Sequence, residues 1–152
     1  MKKLGILFIM CTNLDERMKF FMKVLTVKQP WATLIVEGIK KYEFRSWKTK
    51  YRGEILIHAG LSEEKEEMKK FESLNLNFPK GKIIGIVNIV DSLLLDDNLN
   101  KQIISEHNDA YGNKYRTGYA WKLDGARKIN LDKDIKGKLG LWNLDLKDID
   151  LN

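Results

Sequence analysis

Two nearly continuous apolar runs constrain this chain more than anything else in it. Residues 54–59 read E-I-L-I-H-A and residues 83–90 read I-I-G-I-V-N-I-V. Runs this short, rich in β-branched residues and bounded by glycine and proline, read as strands buried on both faces. His58, inside the first run, reads more readily as a hydrogen-bonded core residue than as a catalyst. Asn88, inside the second, is an interior polar group that needs a partner.

Weaker signals place the other elements around these two. Lys23 to Val27 alternates as a strand does. Pro30 suits a first helical turn, and Gly38 suits the left-handed position past a helix end. Between them Trp31, Leu34 and Ile35 share one apolar face, so a two-turn helix is expected there. Ser62 is a candidate cap for a surface helix reaching about Ser73, with acids in its first turn and Lys69 and Lys70 later. Pro79-Lys80-Gly81 reads as a turn. Asp96 or Asn98 is expected to cap a helix to about Ala110, with Leu99, Ile103 and His107 as its stripe. Tyr111 to Gly118 reads as a loop, and Tyr119, Trp121 and Leu123 as one face of a strand. Asp124-Gly125 is a tight-turn pair, after which Ala126 to Leu131 resumes as strand. A last strand runs from Leu141 to Leu146 after a glycine-flanked break at Gly137 to Gly140. About six strands and three short helices, interspersed, predict an α+β or mostly β fold with a curled or closed mixed sheet.

A chain of 152 residues suits one domain with one core. Cys11 is the only cysteine, so neither an internal disulfide nor a thiolate zinc cluster can form, which fits a reducing cytoplasm. His58 and His107 have no ligand spacing, so no metal and no cofactor is expected. No run of about twenty apolar residues exists to span a membrane. The start resembles a signal peptide, but its apolar core stops at Cys11 and Asp15, Glu16 and Arg17 follow at once. Met22 opens the first strand of a domain. Residues 1–21 are therefore expected to lie outside the core fold, residues 22–146 to form the domain, and residues 147–152 to be a polar tail.

The charge is concentrated. The chain carries a formal +6, and residues 38–53, G-I-K-K-Y-E-F-R-S-W-K-T-K-Y-R-G, hold six basic residues against the single acid Glu43. Tyr42, Phe44, Trp47 and Tyr51 lie among them. Cations bind phosphate and rings bind base faces, so the mixture suits a nucleic acid with accessible bases. A solvated face of a lysine-rich protein is the alternative. Most of the positive charge is lysine, which favours backbone-driven binding over sequence-specific reading. Strand parity divides the stretch. Tyr42 and Phe44 share one face and read as core, and Lys41, Glu43, Arg45 and Trp47 share the other. Lys40 has the wrong parity and joins Glu43 only if the turn after Gly38 re-aims it.

Gly38, Lys40, Glu43 and Arg45, in G-I-K-K-Y-E-F-R, resemble the G-x-K-x-x-E-x-R signature of ASCH domains, members of the PUA-like superfamily. V-K-Q-P-W-A upstream and Y-R-G-E-I-L-I-H-A, Y-A-W-K-L-D-G-A-R and K-G-K-L-G-L-W-N downstream extend the resemblance over roughly residues 22–145. It implies a PUA-like mixed β-barrel with a cleft beside the motif strand, and a role in RNA binding, RNA metabolism or translation-linked regulation. One branch of the family hydrolyses N4-acetylcytidine with the motif lysine, a threonine where this chain has Glu43, and a later glutamate, for which Glu106 is the regional candidate. Another member is a metal-dependent ribonuclease.

Three readings of the motif follow. In a binding module Lys40 and Arg45 hold a phosphate, Glu43 accepts from a base amino group, and a tryptophan offers a stacking surface. The ligand candidates are Gln29, Trp31, Gly38, Lys40, Glu43, Arg45, Trp47, Lys48, Lys50, Arg52 and Trp121. In a hydrolase of a modified nucleoside or RNA, Glu43 is a general base and Lys40 or Arg45 steadies an oxyanion. In a structural or protein-interaction domain the three side chains only fix the turn. The partner expected is RNA or a nucleotide, and the chain is expected to be monomeric and cytoplasmic.

Overall fold

The computed structural model describes residues 21–148. The readings of Cys11, of the apolar start and of the extreme tail fall outside those residues. Six strands form one mixed sheet: β1 (Phe21–Gln29), β2 (Tyr42–Arg45), β3 (Gly53–Glu63), β4 (Lys82–Leu94), β5 (Tyr119–Lys128) and β6 (Leu141–Asp145). Their order is β2-β5-β4-β3-β1-β6. β1 and β3 run parallel, and every other neighbouring pair is antiparallel. There are three α-helices among the described residues, α1 (Trp31–Val36), α2 (Lys65–Lys70) and α3 (Asp97–Ser105), and two single-turn 3-10 helices, Glu72–Leu74 and Leu146–Asp148. Among the described residues no helix is long and apolar enough to cross a membrane.

The expected barrel is not closed. β2 and β6 are the two edges of an open sheet. β2 has only four residues, and a side chain rather than a ladder joins it to β1: Arg45 Nη2 donates to the Thr26 carbonyl at 3.2 Å. The sheet curls until its first strand and its edge strand are within reach of one arginine.

The buried-strand reading holds for residues 55–59 and for 83–87 with Ile89, while Asn88 is half-buried rather than interior and Val90 is exposed. Val24, Leu56, Ile83 and Ile86 pack under Trp142, Leu144 and Leu131 on one face. Leu25, Ile55, Ile57, Val87 and Ile89 pack on the other face against Ala32, Ile35 and Val36 of α1, and against Trp121 and Leu123. Each such side chain fully removed from water stabilises the fold by about 1.5–3 kcal/mol. α1 lies close on β4. A Cβ added to Gly85 would stand 2.4 Å from Val36 Cγ1. Asn88 finds its partner in Asp124, at 3.0 Å.

Three local expectations give way to tertiary structure. Ser62 is no helix cap, because β3 continues through Glu63, which pairs with Gln29 of β1; α2 begins only after Glu64 and buries none of its residues. Asp124-Gly125 is not a hairpin turn, because β5 runs through it, with an irregularity opposite Ile86 to Asn88 where an extra residue is accommodated as in a β-bulge. α3 is capped by Asp96, whose carboxylate accepts from Leu99 N at 2.8 Å, but it stops at Ser105. His107 adopts a left-handed φ of 49° and turns the chain away.

Candidate functional site

α1 ends as its sequence predicts, and that ending aims the motif. Gly38 takes φ +76°. The backbone N–H groups of Ile39 and Lys40 both return to the Leu34 carbonyl at 2.9 Å. This fold-back delivers Lys40 beneath β2. Lys40 Nζ donates to Glu43 Oε2 at 3.0 Å and to the Tyr42 carbonyl. Arg45 Nε donates to Glu43 Oε1 at 3.1 Å. The lysine and glutamate side chains are only 4% and 9% exposed, and the arginine 25%. Glu43 is thus a carboxylate shared by two cations. Each of its oxygens already accepts a charge-assisted bond, so its first task is to orient Lys40 and Arg45. Burial pushes the Lys40 ammonium below its ordinary value, against the pull of Glu43; Arg116 and Arg45 add to the lowering.

Two cavities meet at this trio. The larger is a cleft of about 1170 Å³ reached by Arg45, and the smaller, of about 550 Å³, is reached by Lys40. Trp31, Glu43 and Phe44 line both. The larger cleft is lined by five basic side chains, Lys28, Arg45, Lys80, Lys136 and Lys138, against two acids, Glu43 and Asp134. The smaller one balances Lys40, Lys70, Lys114 and Arg116 against Glu43, Glu64, Glu67 and Asp109. The excess of positive charge therefore lies in the larger cleft. Lys28 and Lys80 are already paired with Glu64 and Glu63, at 3.2 and 2.7 Å. Among the described residues Lys136 and Lys138 form no ion pair; Lys138 lies over the Trp142 ring at 5.5 Å.

The structure sorts the ligand candidates. Trp31 keeps its place as a wall, and it also packs edge-on against Phe71. Trp121 leaves the set of stacking surfaces: it is fully buried, under Trp47 with ring centres 4.7 Å apart, and its Nε1 donates to the Trp47 carbonyl. Trp47 is partly exposed. Gln29 is buried with both ends of its amide used. Its Oε1 accepts from Thr33 N at 3.1 Å and its Nε2 donates to the Pro79 carbonyl at 2.7 Å. It fastens α1 to the turn before β4 and lines neither cavity. Gly38 contributes the turn. Lys48, Lys50 and Arg52 lie outside both cavities, and Arg52 is bound to Asp91 at 3.0 Å. Glu106 is exposed at the end of α3 and lines neither cavity.

Phe44, read as core, is a shared wall of the two cavities. Its ring lies under Lys40 Nζ at 4.7 Å and under the Arg116 guanidinium at 4.2 Å, contacts that favour a cation over an aromatic face. Tyr42 does pack as core, edge-on to Tyr111. Burial holds the Tyr111 phenol up at about 12, and its oxygen accepts from Lys41 N at 2.8 Å.

His58 forms the floor of the larger cleft. Its Nε2 is 2.6 Å from the Ile135 carbonyl, which can only accept, so Nε2 carries the proton. Nδ1 then accepts from Thr26 Oγ1 at 3.2 Å, and that hydroxyl accepts in turn from Trp142 Nε1 at 3.1 Å. Burial pulls the imidazole below its ordinary value, against the backbone hydrogen bonds to Ile135 and Gly81. Every bond in the relay is satisfied by the neutral ring. The sequence reading named none of Lys28, Lys80, Lys136 and Lys138 as site residues, although three of them lie in V-K-Q-P-W-A and K-G-K-L-G-L-W-N; they come from a strand and two loops that only the fold brings together. Among the described residues no three His, Cys, Asp or Glu side chains converge as metal ligands.

The chain is similar to activating signal cointegrator 1 of Mus musculus, 27% identical over 135 residues, and of Homo sapiens, 29% identical over 135 residues. Each alignment covers 81% of this chain but 22% of the relative, so the chain spans about a fifth of the length of those proteins. The sequence model of the ASCH domain matches residues 25–131, from inside β1 to just past β5, and takes in Lys40, Glu43 and Arg45 with the strands that hold them. On that match, the chain belongs to the ASCH domain family.

Proposed function

We propose that this domain binds single-stranded RNA or a nucleotide in the larger cleft, as part of RNA metabolism or RNA-linked regulation. The observation that carries the reading is the lining: five basic side chains against two acids, around the rings of Trp31 and Phe44. Phosphates need the first and bases need the second. Arg45, fixed in direction by Glu43 and by the Thr26 carbonyl, offers a rigid guanidinium rather than a freely rotating one, and a preorganised group loses less entropy on binding. Membership in the ASCH family supports the same class of ligand. Fluorescence anisotropy with a labelled single-stranded RNA tests it. Micromolar or tighter binding at low salt is expected, with Arg45→Ala weaker by roughly tenfold, the loss of one charge-assisted contact. Absence of binding at low salt would sink the reading.

One observation favours a second reading, hydrolysis of a modified nucleoside. Lys40 is a buried amine pushed below its ordinary value, lining a cavity of about 550 Å³, within the usual range for a small-molecule site. Incubation with N4-acetylcytidine decides this. Cytidine produced by the unaltered protein and not by Lys40→Ala would support it, and no cytidine from either would remove it.

A further inference from the structure

Two leucines remain largely in water. Leu139 is 98% exposed and Leu61 79% exposed. Both nevertheless line the larger cleft. A lone exposed leucine is ordinary; these two share their surroundings with lysines that line the same space. Leu139 follows Lys138 directly, and Lys136 stands on the other side of Gly137.

The 132–140 segment that carries them is fastened towards its start. Lys82 holds Asp132 and Asp134 at 3.0 and 2.8 Å. Ile135 N donates to the Gly81 carbonyl at 2.8 Å, and His58 holds the Ile135 carbonyl. Gly137 then passes so near the cleft floor that a Cβ there would stand 2.9 Å from Thr26. Leu61 lies beside the anchor of this segment: a Cβ on Gly81, whose carbonyl holds Ile135 N, would stand 3.2 Å from Leu61 Cδ2. Two leucines and the lysines Lys136 and Lys138, which form no ion pair among the described residues, thus line the same cleft as the rings of Trp31 and Phe44. A ligand that matches must present a flat apolar face and an anion in each repeating unit.

Resting on the RNA reading of the cleft, we propose that Leu61 and Leu139 form an apolar lip that covers a base of bound single-stranded RNA, while Lys136 and Lys138 hold its phosphates. A duplex, whose bases are stacked inside, offers the lip nothing to cover. The lip supplies the part of the affinity that salt does not screen.

The test compares two probes on the whole chain: a labelled single-stranded RNA of about ten nucleotides, within the span of small single-strand-binding folds, and inorganic polyphosphate, which has charge and no bases. Leu139→Ser and Leu61→Ser, at exposed positions that folding does not depend on, are expected to weaken RNA binding about three- to tenfold, as partial loss of a buried leucine contact does. Both are expected to leave polyphosphate binding unchanged. Lys136→Ala with Lys138→Ala is expected to weaken both probes. RNA affinity unchanged in both leucine variants, or equal losses for the two probes, overturns the lip while leaving the RNA reading intact. No RNA binding by the unaltered protein overturns the reading and the lip together. Self-association that Leu139→Ser abolishes, with RNA binding untouched, assigns the lip to a second copy and also overturns the proposal.

Discussion

At the scale of single residues the trio of buried Lys40 and Glu43 with half-buried Arg45 carries the most consequence. A buried ion pair adds little net stability, but removing one partner leaves the other charge uncompensated. Glu43→Leu is therefore expected to destabilise the fold by about 3–5 kcal/mol in urea unfolding, and Lys40→Met in that background to recover much of the loss. Equal destabilisation in the single and the double variant would contradict the pairing. His58 supplies a prediction of opposite origin. Its folded-state value lies below the ordinary one, so the native state holds fewer protons than the unfolded state. Its contribution is present above the unfolded value and is lost as pH falls below about 6.5 towards the lowered folded value. The urea midpoint should decline across that window, ahead of the carboxylates, and His58→Gln should flatten the decline. An identical pH profile in the variant would rule out His58 as its source. Parity was enough to set Glu43 and Arg45 apart from Tyr42, and to flag that Lys40 needed a turn. Trp121 could not be placed that way, because period-two alternation marks a face without saying whether core or ligand covers it.

At the scale of elements, the join between α1 and β2 decides whether the motif exists as a site. Gly38 is left-handed and a Cβ there meets nothing within 4 Å, so the cost of a substitution is backbone strain alone. Gly38→Ala should lower stability by roughly 1–2 kcal/mol, with Gly38→Asn costing less because asparagine tolerates that region better. Equal costs measured in urea would argue against strain as the cause. The doubly buried strands were readable because burial on both faces leaves a nearly continuous apolar run, interrupted only by His58 and Asn88. Ser62 and Asp124-Gly125 misled because a cap and a turn are local signals, while the ladders of β3 with β1 and of β5 with β4 are long-range and override them. The open sheet follows from the same limit. The count of short, interspersed strands and helices suggested a curled or closed sheet, but whether β2 meets β1 by a ladder or by one arginine depends on the length of β2.

For the whole molecule, the lesson concerns charge. Residues 38–53 hold nearly all of the net charge, yet the fold turns Lys48, Lys50 and Arg52 away from the cleft and gathers Lys28, Lys80, Lys136 and Lys138 into it. Charge density along a sequence does not report charge density around a cavity when the contributing residues come from separate loops. The proposed RNA binding therefore runs through the cleft, Arg45 included, and not through Lys48, Lys50 and Arg52. The direct measurement is the salt dependence of single-stranded RNA affinity for the unaltered protein, for Lys136→Ala with Lys138→Ala, and for Lys48→Ala with Lys50→Ala. Each phosphate contact contributes about 0.7 to the slope of log affinity against log salt on a single strand. The cleft pair should reduce the slope by about 1.4, and the Lys48 and Lys50 pair should leave it unchanged. A slope reduced by the Lys48 and Lys50 pair and untouched by the cleft pair would contradict the account.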